Sequence, residues 1–317
     1  LANRSFGDGG HIVLATDGTL LWIATEGKQS FIYRVEMATG KYAPWTATAK
    51  DAEGKDYQIL ELVVSDQPGF KDGKLNLGSI ALRNGVLAVC LARENKISLR
   101  DAETSAEKAS LTVEEPRAAV LDSDNSLIVL SKDSLKRVAL DGSVTAFAEG
   151  SFPAGYGLAM DSDRNVYLSV RGADHNVKVF SPGGKLAREI GRKGGRPFNG
   201  PFDDAGMLNP GHIAIDSKGR LWVPEENQNP KRTSVWNTDG TFARDFVGAT
   251  SYAGAGAVNP YDPTMAFAEN TVFRIDLAKG TWRPVYSFGK RDDPADVFPP
   301  SAQSRCRVVV RDGVTYL

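Results

Sequence analysis

The sequence predicts an all-β fold. Three observations carry that reading: tight-turn dipeptides recur along nearly the whole chain, short alternating apolar runs flank most of them, and their spacing fits units of four strands. One series of turns reads Asp17-Gly18, Asn84-Gly85, Asp124-Asn125, Arg164-Asn165, Lys218-Gly219, Tyr261-Asp262 and Asp312-Gly313. A second series falls between them: Thr39-Gly40, Asp141-Gly142, Gly183-Gly184, Asp239-Gly240 and Lys279-Gly280, with a degraded copy at Glu103-Thr104. Asn-Gly and Asp-Gly supply the positive φ angles that a two-residue hairpin loop needs. Two hairpins per unit make a four-stranded meander, which is how a propeller blade reads in sequence.

Taken in order, blades begin near His11, Ser79, Ala118, Gly157, His212 and Gly254, and a partial one near Cys306. The expectation is a β-propeller with six complete four-stranded blades and the start of a seventh, with several spacings near the roughly 40 to 45 residues of one blade. Two insertions interrupt the rhythm, at 47–76 and 193–209. The first contains Tyr57-Gln58-Ile59-Leu60-Glu61-Leu62-Val63-Val64, which reads as an extra strand. The second is rich in Gly and Pro and reads as an exposed loop. Both are taken as links from the outer strand of one blade to the inner strand of the next, which would put them on one face.

The 317 residues are read as a single domain, 1–317. Hydrophobic residues at 41% and charged residues at 24% suit a packed core and argue against disorder. A net charge of -1 gives no case for nucleic acid as a partner. No apolar run reaches the roughly 18 residues of a membrane span, so no membrane insertion is expected. Cys90 sits in the apolar run Val86-Leu87-Ala88-Val89-Cys90-Leu91 and reads as a buried, inert thiol. The chain opens at Leu1 without a basic and apolar leader and stops just after a hairpin turn, which predicts a segment excised from a longer chain.

Residues 177–248 carry a family signal. Val179-Phe180-Ser181-Pro182-Gly183-Gly184-Lys185 is followed by Ile190-Gly191 and Asn209-Pro210-Gly211-His212-Ile213-Ala214-Ile215-Asp216. Then come Gly219-Arg220-Leu221-Trp222-Val223 and Arg232-Thr233-Ser234-Val235-Trp236. This resembles the NHL repeat, whose pattern runs Pro-x-Gly-Ile-Ala-Val-Asp, Gly-x-hydrophobic-Tyr-Val and Arg-Ile-x-Val-Phe. The resemblance implies a propeller and leaves the chemistry open, because NHL-like propellers include binding modules and a few lyases and hydrolases. The calcium-dependent sugar lactonases are similar in Gly219-Arg220-Leu221-Trp222-Val223. Their metal site uses Asn and Asp near the x position, where this chain has Tyr156 and Gly211, and that departure argues against lactonase activity.

In a propeller the innermost strands line a channel, so ligand sites lie where those strands begin. The x position of the repeat is Gly10, Gly78, Arg117, Tyr156, Gly211 and Arg305, and the next is His11, Ser79, Ala118, Gly157, His212 and Cys306. Arg117, Tyr156 and Arg305 would make a channel mouth suited to a carboxylate or sulfate. His11, His212 and Cys306 offer imidazole and thiolate ligands of the kind zinc prefers, although polar side chains lining a wet channel need no metal. Asp122-Ser123-Asp124 and Asp161-Ser162-Asp163 resemble the opening of a calcium loop but coincide with hairpin turns, where Asp is favoured anyway. Glu225 and Glu226 are adjacent, so they point to opposite faces of a strand; a solvated loop is the expectation there. His175 is read as part of an exposed turn.

The function these readings predict is a non-catalytic ligand- or protein-binding propeller module, without a cofactor, belonging to a larger exported bacterial protein. Its location would be extracellular or periplasmic, its partner an unidentified ligand or protein. The alternative is a metal-dependent lyase or hydrolase with its site in the channel, zinc being the metal that His11, His212 and Cys306 would suit.

Overall fold

Aspartate closes many of the hairpins. The Asp17 carboxylate accepts the backbone N–H groups of Thr19 and Leu20, each at 2.8 Å. The Asp216 carboxylate accepts those of Lys218 and Arg220 at 2.9 Å, and its second oxygen accepts Arg220 Nε at 2.8 Å and Trp222 Nε1 at 2.9 Å. Asp161 repeats the device with the N–H groups of Asp163 and Asn165 and the Tyr167 hydroxyl. An Asp at the first turn position therefore locks the turn and anchors the strand that follows.

The computed structural model describes residues 11–26, 29–50, 52–71, 74–226, 230–248, 256–268, 271–287 and 309–316. It is all-β, with a single 3-10 turn, Ala92–Glu94, as the helical element among the described residues. Strands that follow one another in sequence pair antiparallel into four-stranded sheets. The chain divides into two compact units, one of Leu1–Leu168 with Phe180–Ala187, the other of Ser169–Val179 with Arg188–Leu317.

In the first unit, the first sheet is Ile12–Thr16, Leu20–Glu26, Ser30–Glu36 and Glu61–Ser65. The second is Leu77–Arg83, Val86–Leu91, Lys96–Asp101 and Glu107–Thr112, and the third is Pro116–Leu121, Leu127–Ser131, Ser134–Val138 and Val144–Ala146. Period-two alternation splits the strand Val86–Leu91 between two cores. Leu87, Val89 and Leu91 join Val13, Trp22, Ala24 and Ile32 of the first sheet. Ala88 and Cys90 join Ala119, Leu121, Leu127 and Val129 of the third. Burial on both faces is why this strand is an unbroken apolar run rather than an alternating one. Each such Leu or Val contributes about 1.5–3 kcal/mol on burial. Close approach of the second and third sheets also needs Gly78, because a Cβ there would stand 2.7 Å from the Arg117 carbonyl oxygen.

The insertion at 47–76 differs from its sequence reading. Val35 forms a bridge with Tyr42, but Pro44 cannot donate to the ladder, and Trp45 turns inward with no exposure. The Arg34 guanidinium covers the Trp45 ring at 4.4 Å and donates to the Ala102 carbonyl at 3.0 Å. The segment then forms a hairpin, Thr48–Lys50 with Asp56–Gln58, before Glu61–Ser65 takes the outer position of the first sheet. The expected extra strand is thus two pieces, one of them the sheet's own fourth strand. Only 66–76 is an outer-to-inner link; 37–60 emerges from the opposite end of the sheet, as antiparallel pairing requires.

In the second unit, one sheet is Ala214–Ile215, Leu221–Glu225, Arg232–Trp236 and Phe242–Val247. Another is Gly256–Asn259, Asp262–Ala268, Thr271–Asp276 and Thr281–Ser287, with Gly200–Pro201 added along the last strand. A hairpin of Val309–Arg311 and Val314–Tyr316 follows. A further sheet, Gly155–Met160, Val166–Val170, Asn176–Phe180 and Leu186–Ile190, has residues assigned to both units.

Candidate functional site

The segment 193–209 is built into the second unit, not laid over it as a loop. Its backbone makes a chain of short bonds: Arg192 N–H donates to the Ala205 carbonyl at 2.7 Å and Arg196 N–H to the Met207 carbonyl at 3.0 Å. Gly195 has φ +66°, and a Cβ there would collide with the Met207 carbonyl and the His175 side chain. Arg196, Met207 and Leu208 are buried. Phe202 N–H donates to the Val285 carbonyl at 3.0 Å, which ties the segment to the outer strand of the sheet it extends. The Gly and Pro content that suggested an exposed loop serves close packing here.

Arg196 carries the segment's charge inward. Its Nε donates to Glu225 Oε2 at 3.0 Å, and Arg232, opposite Glu225 in the strand ladder, donates to Oε1 at 3.0 Å. Arg232 also donates to Asp245 at 2.8 Å and to the carbonyls of Gly206 and Asp204, each at 2.7 Å. Both guanidinium groups lie over the Phe202 ring, at 5.1 and 5.4 Å from its centre. Burial is the largest influence on the Glu225 carboxyl and pushes it up, while Arg196 and Arg232 pull against it. Two arginines answer two carboxylates, so the cluster is electrically balanced. A solvated loop was the expectation at Glu225; it is instead a buried strand end, and only Glu226, on the opposite face, reaches solvent.

A cleft of 490 Å³ opens at this end of the sheet, lined by Pro224, Glu226, Lys231, Thr233, Phe246 and Gly248, with Glu225 and Arg232 behind them. Lys231 is exposed and makes no ion pair among the described residues. Glu226 is held by Arg171 at 2.7 Å. Phe246 is 47% exposed and stacks on Trp222, ring centres 5.5 Å apart and planes 12° apart. Arg244 lies 4.9 Å from the Phe246 ring centre. The cleft therefore presents one uncompensated ammonium, one hydroxyl and one flat aromatic face on a rigid floor.

His175 is half-buried, not an exposed turn residue. Its Nδ1 accepts the Asn209 N–H at 3.1 Å, so the neutral ring carries its proton on Nε2. Burial, then Arg171 and Arg196, hold its pKa below the usual value.

The other candidates fall as follows. The Arg117 guanidinium donates to the carbonyls of Lys132 at 2.9 Å, Pro153 at 3.2 Å and Gly155 at 2.8 Å, tying together the loops around the start of its strand. Tyr156 is half-buried at the start of Gly155–Met160. His11 Nε2 is 3.4 Å from the Gly78 carbonyl oxygen. His212 is half-buried in the second unit, so the two histidines belong to different units. Arg305 and Cys306 lie outside the described residues. No group of three His, Cys, Asp or Glu side chains gathers as metal ligands among the described residues. Lys231, Phe246 and the Arg196–Glu225 bond were not found from the sequence. The available signal was the strand register, which places Thr233 opposite both Pro224 and Phe246.

No family model matches the chain, and no curated protein matches it. The NHL resemblance therefore rests on the motifs themselves. Among solved structures the chain is similar to one from a nidogen/laminin complex, at 13% identity over 74% of this chain and 79% of that one, with a TM-score of 0.49. It is similar to Kuenenia stuttgartiensis hydrazine synthase at 13% identity over 85% and 77% of the two chains, with a TM-score of 0.47. A protein of unknown function from Bacteroides thetaiotaomicron VPI-5482 is similar at 13% identity over 68% of this chain and 56% of that one, with a TM-score of 0.47. Such likenesses carry no chemistry.

Proposed function

We propose that the chain is a propeller-type binding module of a larger exported bacterial protein, and that it holds its ligand in the cleft beside Lys231 and Phe246. One observation carries the reading: an exposed ammonium and an exposed aromatic face stand on a floor cross-linked by Arg196, Glu225 and Arg232. Preorganised walls of this kind lower the entropic cost of binding. The ammonium suits a carboxylate or sulfate and the Phe246 face suits a ring, so the ligand class is a ring compound bearing one anionic group, such as a uronic acid residue. Glu226 and Thr233 supply hydrogen-bonding groups for its hydroxyls.

Calorimetric titration with glucuronate-terminated and matched neutral oligosaccharides tests this. The acidic series should bind, and Lys231→Glu and Phe246→Ala should each weaken it by about tenfold or more, the loss of one charge-assisted bond or one ring contact. Equal binding of acidic and neutral compounds, or no effect of either variant, overturns the reading.

A further inference from the structure

The first unit holds a buried polar site of its own. Glu26, at the end of its strand, is 6% exposed, and Ser30 and Asn76 are not exposed at all. Glu26 and Ser30 are direct partners in the strand ladder, and Ser30 is in turn the partner of Ser65. Partners in a ladder project on the same face of a sheet, about 4.5–5.5 Å apart at Cβ, so these three side chains form one row. The Leu77 N–H donates to Glu26 Oε1, which brings the adjacent Asn76 against the row. Asn76 Nδ2 donates to Ser65 Oγ at 3.0 Å and to Glu94 Oε1 at 2.8 Å, so the amide orientation is set by two acceptors on one side.

That arrangement leaves three oxygens over. Glu26 Oε2, Ser30 Oγ and Asn76 Oδ1 are all buried and have no hydrogen-bond partner among the described residues. A buried polar atom without a partner costs about 1–3 kcal/mol, and two in one row with a third on the residue packed against it require a common explanation. Ionised Glu26 would add a charge that Leu77 N–H answers only in part; burial pushes this carboxyl up to about 7. Arg93, a cation whose charge acts on Glu26, is engaged with the Pro68 carbonyl at 2.6 Å. The donors are carboxylate, amide and hydroxyl oxygens, with no nitrogen or sulfur ligand. That is the set preferred by hard divalent cations, and a buried, irregular one suits calcium better than magnesium.

We propose that Glu26 Oε2, Ser30 Oγ and Asn76 Oδ1 form a binding site for one calcium ion, with the Glu94 carboxylate as its nearby second negative charge. The site joins the first sheet, through Glu26 and Ser30, to the start of the second, through Asn76. It does not involve the cleft beside Lys231 or the histidine–cysteine set. A calcium ion here would stabilise the junction of these sheets by linkage, since the unfolded chain does not assemble the donors.

The test uses the full chain freed of metal with a chelator, then titrated with calcium chloride or magnesium chloride and followed by calorimetry and thermal unfolding. One calcium should bind per chain and raise the midpoint of unfolding, with magnesium markedly weaker. Glu26→Gln should weaken calcium binding by about tenfold or more, while making the metal-free protein no less stable, because a buried charge is removed. Ser30→Ala should weaken it in the same direction and covers the case in which Glu26→Gln folds poorly. Glu114→Gln, at an exposed position just before the third sheet's first strand, should leave binding unchanged. Absence of calcium binding overturns the proposal in favour of buried water alone. So does binding that persists unchanged in both site variants.

Discussion

Arg232 meets Glu225 across neighbouring strands at 3.0 Å, with neither side chain exposed. The same guanidinium bonds Asp245 on the sheet's fourth strand and two carbonyls of the 193–209 segment. One cation thus fixes the end of a sheet to the segment packed on it, and the cleft inherits that rigidity.

Removing Glu225 leaves two buried guanidinium groups without their shared anion. Glu225→Gln should destabilise the second unit by about 3–5 kcal/mol, the cost of breaking a buried pair from one side. Asp56→Asn, which breaks an exposed pair with Lys50 at 3.0 Å, should cost about 0.5 kcal/mol or less. Urea unfolding curves of the two variants compare these directly. Similar midpoints would mean that Glu225 is not the hub of the cluster.

Adjacent glycines separate backbone conformation from packing. Gly194 has φ +85° with nothing within 4 Å of an added Cβ, so Gly194→Ala should cost about 1–2 kcal/mol from its dihedral alone. Gly195 has φ +66°, and its Cβ would also strike the Met207 carbonyl and His175. Gly195→Ala should therefore cost clearly more than Gly194→Ala, and it should weaken ligand binding by shifting Arg196. Equal losses in thermal unfolding would show that the segment yields without effort.

What could be read in the sequence was local. Asp-closed turns announce themselves because the side chain that closes the turn lies two to four residues from the groups it bonds, as at Asp17 and Asp216. The inert state of Cys90 followed from an apolar run with no polar face. The sites were harder, because they depend on contacts remote in sequence. Arg196 meets Glu225 across 29 positions, and Glu26 meets Leu77 across 51. Nothing in Lys193-Gly194-Gly195-Arg196 says that its arginine is buried; only the fold brings it to Glu225, on the strand Leu221–Glu225, the anion that permits it. Trp45 was missed for the same reason, since its burial needs Arg34 and the Ala102 carbonyl in place.

Asp122 makes the first unit sensitive to acid. Its side chain is 1% exposed, and burial alone would push the carboxyl up. Bonds from Arg164 at 2.7 Å through Nε, from the Ser123 N–H and from Arg137 at 3.2 Å outweigh burial and hold it well below the usual carboxylate range. A carboxyl lower in the folded than in the unfolded state stabilises the fold above its unfolded value near pH 4, roughly, and that contribution fades as the pH falls further. Asp122→Asn should cost about 2 kcal/mol at pH 7, the order of a charge-assisted bond. The gap between variant and wild type should narrow below pH 4, roughly. Chemical unfolding at a series of pH values checks this, and a gap independent of pH would remove Asp122 from the account.

Cys90 reports on whether the second sheet opens by itself or only with the whole unit. It has no exposed surface, and burial pushes its thiol up to about 12, with a bond from Ser79 opposing it. The chain has two cysteines, so Cys306→Ser leaves Cys90 as the single thiol. A disulfide reagent at pH 8, roughly, attacks only thiolate that solvent reaches, so the native state should be silent. Its strand is packed on both faces, against the first sheet and the third, and no edge of it is free to fray. Labelling should therefore require global opening, and its rate should rise with urea as steeply as unfolding measured by tryptophan fluorescence. A labelling rate insensitive to urea would instead reveal local opening of the strand Val86–Leu91, and the two cores that share it would then be less firmly joined than their packing indicates.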